Sequence, residues 1–259
     1  MKPVLSKNRK FGVEVEMTTP WENVLNLIQD KYSDPFNIKW SSFKEQYYDS
    51  QGKTFDLKFD SSTGCEIATP ILSLASPKYK QFRSLVKFLK RNKVEITKSD
   101  SIHIHMACPD IIERDKILTG WMLLQYQIHK LFPKHRRTSH YCEKLLRSNK
   151  NPKNLKLSDI TDIFDNIVTH HMELSFIYWD SRQTIEFRMH EGSLDFDEID
   201  SYIKFLIKFV EFCHFIRPLE DIAKVSKNML TGPADLNREL NITEKKVAEW
   251  VFNRFNEFN

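Results

Sequence analysis

Two hydrophobic periods take turns along this chain. Apolar residues recur at every second position in Phe11–Thr18, Thr54–Asp60, Cys65–Thr69, Ser101–Ala107, Glu173–Trp179 and Thr184–His190. That spacing predicts six β-strands, each burying one face. Between them the apolar spacing lengthens to three and four residues, the period of a helix with one buried stripe. Pro77–Lys90 aligns Tyr79, Phe82, Val86 and Leu89, and Glu113–Phe132 aligns Ile117, Trp121, Leu124 and Ile128. Ser158 is placed to cap a helix carrying Ile160, Ile163, Phe164, Ile167 and Val168. Asp197–Phe215 carries Ile199, Tyr202, Ile203, Leu206, Val210 and Cys213. Asn241 with Glu244 resembles a capping box opening a last helix with Val247, Trp250 and Val251. Asp34–Thr54 has no clear period and reads as an inserted, lid-like loop, and Asn149–Asn154 as a surface loop. Half-exposed strands interspersed with long helices predict an α+β fold, in which a largely antiparallel sheet carries helices on one side. The whole of 1–259 is expected to be a single domain.

Composition narrows this picture modestly. Hydrophobic residues at 41% and charged residues at 29% are globular values. The longest apolar runs fall short of the roughly 18 residues a membrane helix needs. The lysine-rich start is not followed by an apolar stretch, so neither a secretory nor a membrane route is expected. Cys65, Cys108, Cys142 and Cys213 are scattered without a CxxC pair, which favours a reducing cytoplasm over a zinc ribbon or a disulfide framework. A net charge of +4, spread along the chain, gives no basic stripe for nucleic acid. The six glycines form neither GxxxxGK[ST] nor GxGxxG, so any nucleotide phosphates must be neutralised by cations and arginines instead of a backbone cradle.

The polar faces of three strands hold the candidate chemistry. Residues two apart in a strand share a face. Glu14 and Glu16 therefore stand opposite Val13 and Val15. His103 and His105 stand opposite Ile102, Ile104 and Met106. Glu186, Arg188 and His190 stand opposite Ile185, Phe187 and Met189. A wet sheet face would alternate in the same way, but adjacent glutamates repel unless positive charge lies between them. Paired glutamates, paired histidines and Glu with Arg share one explanation, a cluster of divalent cations. The carboxylate majority suits Mg²⁺ or Mn²⁺, and the histidines keep zinc open. Asp60 and Glu66 bracket a segment in which Gly64 permits a tight turn, returning Glu66 to the same polar face or leaving an ordinary surface hairpin. Arg136 and Arg137 follow a long helix, where they serve either as phosphate or carboxylate clamps or as a solvated basic helix end.

The order of these motifs resembles the amidoligase family, carboxylate–amine ligases related to glutamine synthetase and glutamate–cysteine ligase. The resemblance rests on Phe11-Gly-Val-Glu-Val-Glu16, Asp60-Ser-Ser-Thr-Gly-Cys-Glu66-Ile-Ala-Thr-Pro70, His103-Ile-His105, Arg137-Thr-Ser-His-Tyr-Cys142 and Thr184-Ile-Glu-Phe-Arg-Met-His-Glu-Gly-Ser-Leu-Asp195. Ser101 and Ile102 stand where the family pattern carries a glycine before HxH. The resemblance implies a curved antiparallel sheet of the glutamine synthetase type, binding ATP and two or more Mg²⁺ ions. By that analogy Glu14 shares a metal with His103 and Glu186, while Glu16 serves another with Glu66, assisted by Asp60. Arg188 meets the transferring phosphoryl group, and Arg137, in preference to Arg136, forms a second clamp. His105 stands beside the nucleotide, and His105, His190 and Glu191 are unranked candidates for the base. The implied activity is ATP-dependent joining of a small-molecule or peptide carboxylate to an amine through an acyl phosphate. A metal-dependent phosphotransferase, or a binding protein that keeps the fold without turnover, are the alternatives.

Overall fold

A computed structural model of the protein describes residues 5–31, 38–41, 55–60, 62–145, 171–177, 179–216 and 232–259, with the side chains of 29–31, 38–41 and 60 outside the description. The helix expected from Ser158 and the loop at Asn149–Asn154 lie outside the described residues, as does most of Asp34–Thr54. The chain divides into two compact units. One comprises Lys7–Met106 and His190–Asp200, the other Met1–Ser6, Ala107–Met189 and Ser201–Asn259.

The first unit is built on β1 (Phe11–Met17), α1 (Trp21–Lys31), β2 (Ile38–Ser41), β3 (Phe55–Asp60), β4 (Gly64–Ala68), α2 (Pro77–Arg91) and β5 (Ser101–Ala107). Its strands run side by side in the order β2-β3-β4-β1-β5. All these pairings are antiparallel except β2 with β3. β2 corrects the reading of Asp34–Thr54 as a loop: Ile38-Lys39-Trp40-Ser41, an alternation too short to stand out from its surroundings, forms a parallel edge strand whose backbone groups pair with β3. Val13, Val15, Leu57, Ile67, Ile102 and Ile104 are buried, as the period-2 reading requires. α2 adds Phe82, Leu85, Val86 and Leu89 to the core, and its Tyr79 meets Phe11 edge-on at 5.7 Å. It starts where Ser76 accepts from the Tyr79 N–H at 3.3 Å and Pro77 sets the first turn. α1, which the apolar spacing did not reveal, packs on β3 and β4.

The other unit carries α3 (Ile111–His129), α4 (Lys134–Arg137), a 3₁₀ turn at His140–Cys142, β6 (Leu174–Ser175), α5 (Trp179–Arg182) and β7 (Thr184–Glu191), whose last two residues pass to the first unit. α6 (Phe196–Cys213), α7 (Pro233–Glu239) and α8 (Lys245–Phe258) follow, with most of α6 in this second unit. β6 and β7 pair antiparallel. Trp121 of α3 sits between Phe187 at 5.4 Å and Phe209 at 5.5 Å, and Tyr202 meets Phe132 and Trp250. The strand expected over Glu173–Trp179 shrinks to two residues. Trp179 begins a helical turn and donates from its indole to the Cys108 carbonyl at 2.8 Å, a tertiary bond that overrides its β propensity. The capping box is also corrected. Glu244 caps α8 without a side-chain bond, whereas Asn241 takes a positive φ of 48° and its carbonyl accepts from buried Lys208 at 3.1 Å. The architecture is α+β with a mainly antiparallel sheet, and no described helix is long and apolar enough to cross a membrane.

Candidate active site

Strand register decides which side chains share the polar face of the first unit. Glu14 lies opposite His103 on β5, and Gly12 opposite His105. Glu16 lies opposite Glu66 on β4, and Glu66 opposite Lys58 on β3. Residues directly opposite in an antiparallel pair point to one face. The turn ending at Gly64 therefore returns Glu66 to the side of Glu14 and Glu16, as its spacing suggested. Gly64 holds a φ of 136°, and a Cβ there would lie 2.6 Å from the Thr18 carbonyl oxygen. The Asp60 side chain lies outside the described residues.

This face is not wet. Glu16 is 8% exposed, His103 3% and His105 8%, so every side chain of β5 up to Met106 is buried, not merely alternate ones. Burial makes the contacts between these groups matter. His105 Nε2 lies 3.1 Å and His103 Nδ1 3.5 Å from the Glu14 carboxylate. Ser101 donates to Glu16, and its oxygen lies 2.7 Å from His103 Nε2. With the serine proton on Glu16, His103 Nε2–H is the donor to Ser101, so Nδ1 meets Glu14 either as the second N–H of an imidazolium or across a shared cation.

The two glutamates flanking this row respond oppositely. Burial alone would raise Glu14, but the His105 charge and hydrogen bonds from His103 and His105 outweigh it and hold the carboxyl well below its usual range. Glu66 is pushed up to about 7, by burial first and then by the negative charge of Glu14, against the pull of Lys58 3.0 Å away. The donor set of three carboxylates, Glu16 buried and Glu14 and Glu66 half-buried, with imidazole nitrogen on the same face, short of positive charge at Glu66, fits a hard divalent cation. Lys58 and Ser101 were not singled out as site residues. The alternation Asp56, Lys58, Asp60 opposite Phe55 and Leu57 was the signal for the lysine.

His190 and Glu191 close β7 within this same unit. His190 is fully buried; its Nδ1–H donates to the Glu191 carbonyl at 2.6 Å and its Nε2 lies 3.8 Å from Glu198.

In the second unit, Glu186 and Arg188 pair directly through carboxylate and guanidinium. Arg188 is held at every polar point of its backbone. Its N–H donates to the Glu173 carbonyl at 3.0 Å, and its carbonyl accepts from buried Arg136 and from the Cys142 thiol at 3.5 Å. Burial pushes the Cys142 thiol up to about 12, which marks it as a packed side chain and not a nucleophile. Arg137, the arginine favoured from sequence, donates instead to the Phe258 carbonyl of α8 at 3.1 Å. Glu173, fully buried, pairs with His129 and accepts from Trp121 Nε1 at 2.9 Å and the Leu145 N–H at 3.2 Å. Nothing in its local sequence marked it.

The fold is α+β with carboxylates set beside imidazoles on its antiparallel sheet, and the sequence places the chain more narrowly. Residues 7–210 match the family described as "Putative amidoligase enzyme", so the chain belongs to the amidoligase family, a family of ligase-type enzymes. Among solved structures it is similar to a bifunctional glutathione synthetase from Pasteurella multocida, at 12% identity and a TM-score of 0.45. That alignment covers 98% of this chain and 47% of the synthetase chain, so this protein spans about half its length. No curated protein matches the chain.

Proposed function

We propose that this protein is an ATP-dependent carboxylate–amine ligase, with Glu14, Glu16, Glu66 and His103 holding divalent cation and Glu186 a further ligand. The observation that carries the proposal is the buried sheet face of the first unit. There Glu14, Glu16 and Glu66 gather beside Lys58, and His103 Nδ1 lies 3.5 Å from the Glu14 carboxylate. Bound Mg²⁺ or Mn²⁺ supplies positive charge to phosphate oxygens and lowers the repulsion met by an incoming anion. Asp60 assists the ligand set.

In the proposed reaction a substrate carboxylate oxygen attacks the γ-phosphorus of ATP, and the bond to the bridging oxygen breaks to release ADP. An amine then attacks the acyl carbon of the resulting acyl phosphate, inorganic phosphate leaves, and the amine proton passes to a base among His105, His190 and Glu191. Arg188 stabilises the charge gathering on the phosphoryl oxygens, with Arg136 or Arg137 as a second clamp; such preorganised positive groups provide most of the catalysis in phosphoryl transfer. The family supports the ligase class. A small-molecule or peptide carboxylate and an amine are the proposed substrates.

The test is ADP release measured with Mg²⁺ against panels of carboxylates and amines. Release should require both partners, and Glu14→Ala or Arg188→Ala should lower it by about 100-fold or more. Full turnover by Glu14→Ala removes the assigned role. A stable phosphorylated acceptor with no amide would move the protein to the phosphotransferases.

A further inference from the structure

Lys58 stands in a place that a cation-binding face would not ordinarily give to a lysine. Its register partner is Glu66, whose other register partner is Glu16. The Lys58 ammonium lies 3.0 Å from Glu66 Oε1, with the two side chains 24% and 13% exposed. A divalent ion bridging Glu16 and Glu66 must therefore draw on a carboxylate that already serves a fixed positive charge. A carboxylate has lone pairs enough for both. The two cations nevertheless repel each other strongly at such separations, most of all where water is largely excluded.

We infer that Lys58 competes with a divalent cation for Glu66, so that one cation position on this face is weak and fills fully only when the ammonium turns away. The inference rests on the proposed cation-binding role of the face. Lys58 acts on Glu14 through its charge alone, whereas it both charges and hydrogen-bonds Glu66, so the position around Glu14 and His103 binds first. Glu66 then receives its second positive charge only at higher cation concentration, and a nucleotide or carboxylate anion arriving beside Lys58 gives the displaced ammonium a new partner. By linkage, anything that engages Lys58 elsewhere strengthens the second cation.

The experiment is calorimetric titration of the full-length, chelator-stripped protein with Mn²⁺ alone. Wild type should show one tighter and one weaker binding event. Lys58→Met should tighten the weaker event about tenfold, the equivalent of about 1.4 kcal/mol, while Lys58→Arg keeps it weak. Glu66→Gln should abolish that event whichever residue stands at 58, which identifies the position. Lys58→Gln provides a second uncharged side chain, and the Mn²⁺-dependent rise in melting temperature provides a readout that also reports folding. An unchanged or weaker second event in both uncharged variants overturns the competition while leaving the cation-binding reading intact. Equal tightening by Lys58→Arg overturns it too, because charge is then not the cause. No Mn²⁺ binding in any variant defeats the cation-binding reading along with it.

Discussion

Glu173→Ala is the substitution whose cost can be worked most directly. The carboxylate is fully buried, and its oxygens serve the Trp121 indole N–H, the Leu145 backbone N–H and His129. Alanine strips the acceptor from all three and refills none of the space. Each orphaned buried donor costs about 1–3 kcal/mol, but the three relax together, and breaking a buried pair by removing one partner costs about 3–5 kcal/mol. A loss of about 3–5 kcal/mol is expected, a large part of the roughly 5–15 kcal/mol that holds an ordinary domain folded. Glu173→Gln keeps the shape and one oxygen for Trp121 and Leu145, and its amide can donate to His129 in the other tautomer, so it should lose only about 1–2 kcal/mol. The backbone bonds from Glu173 N–H to Glu143 and from Arg188 N–H to the Glu173 carbonyl survive both changes. Urea unfolding followed by tryptophan fluorescence, with Trp121 as a reporter beside the lesion, gives the two free energies. A loss below about 1 kcal/mol for alanine, or an equal loss for both variants, would show that the network is not what holds this part of the core.

Three further outcomes follow from the same geometry. Glu66 binds its proton more tightly folded than unfolded, so metal-free wild type loses stability as pH rises from about 4.5 to about 7. Glu66→Gln does not titrate: in chelator it should exceed wild type by up to about 3 kcal/mol above that window and match it below, and a gap constant with pH in thermal melts refutes this. Gly64→Ala forces a Cβ to 2.6 Å from the Thr18 carbonyl at a φ of 136°, and should cost about 1–3 kcal/mol in the same melts; near-neutrality would mean the turn relaxes freely. Arg136→Met removes a buried guanidinium bonded to the Arg188 carbonyl. If Arg136 positions Arg188, kcat should fall with KM for ATP unchanged, whereas a rise in that KM assigns Arg136 to the phosphates directly.

Much of the first unit was legible in the sequence because its strands bury one apolar face with strict alternation, which fixes the partners of Glu14, Glu16 and His103 once register is known. Which polar residues share the face was legible for the same reason. Three features were not. The burial of the polar face of β5 is a tertiary fact, since period 2 says which side chains share a side and not what covers them. Arg136 and Arg137 differ by one position, and helix period cannot say that Arg136 turns inward to Arg188 while Arg137 reaches Phe258. Glu173 is followed by only two strand residues, and its partners Trp121, His129 and Leu145 lie far away in the chain, so local pattern had no purchase on it.

The charge arrangement of the sheet face carries one more step. Glu14 and Glu66 are neighbours on the same polar surface, yet one carboxyl is held below its ordinary range and the other is driven up to about 7. Burial raises both, so burial cannot separate them. What separates them is company: Glu14 faces His103 and His105, while Glu66 faces Glu16 and feels Glu14, with Lys58 and, more weakly, His103 opposing. The shortage of positive charge is therefore concentrated at Glu66. A face shaped for stability alone would relieve it by substituting an amide or an apolar residue there, at a gain in folding free energy. Keeping the carboxylate makes sense when positive charge arrives from outside. Added divalent cation should then stabilise wild type more than Glu66→Gln, reversing the order of melting temperatures found in chelator.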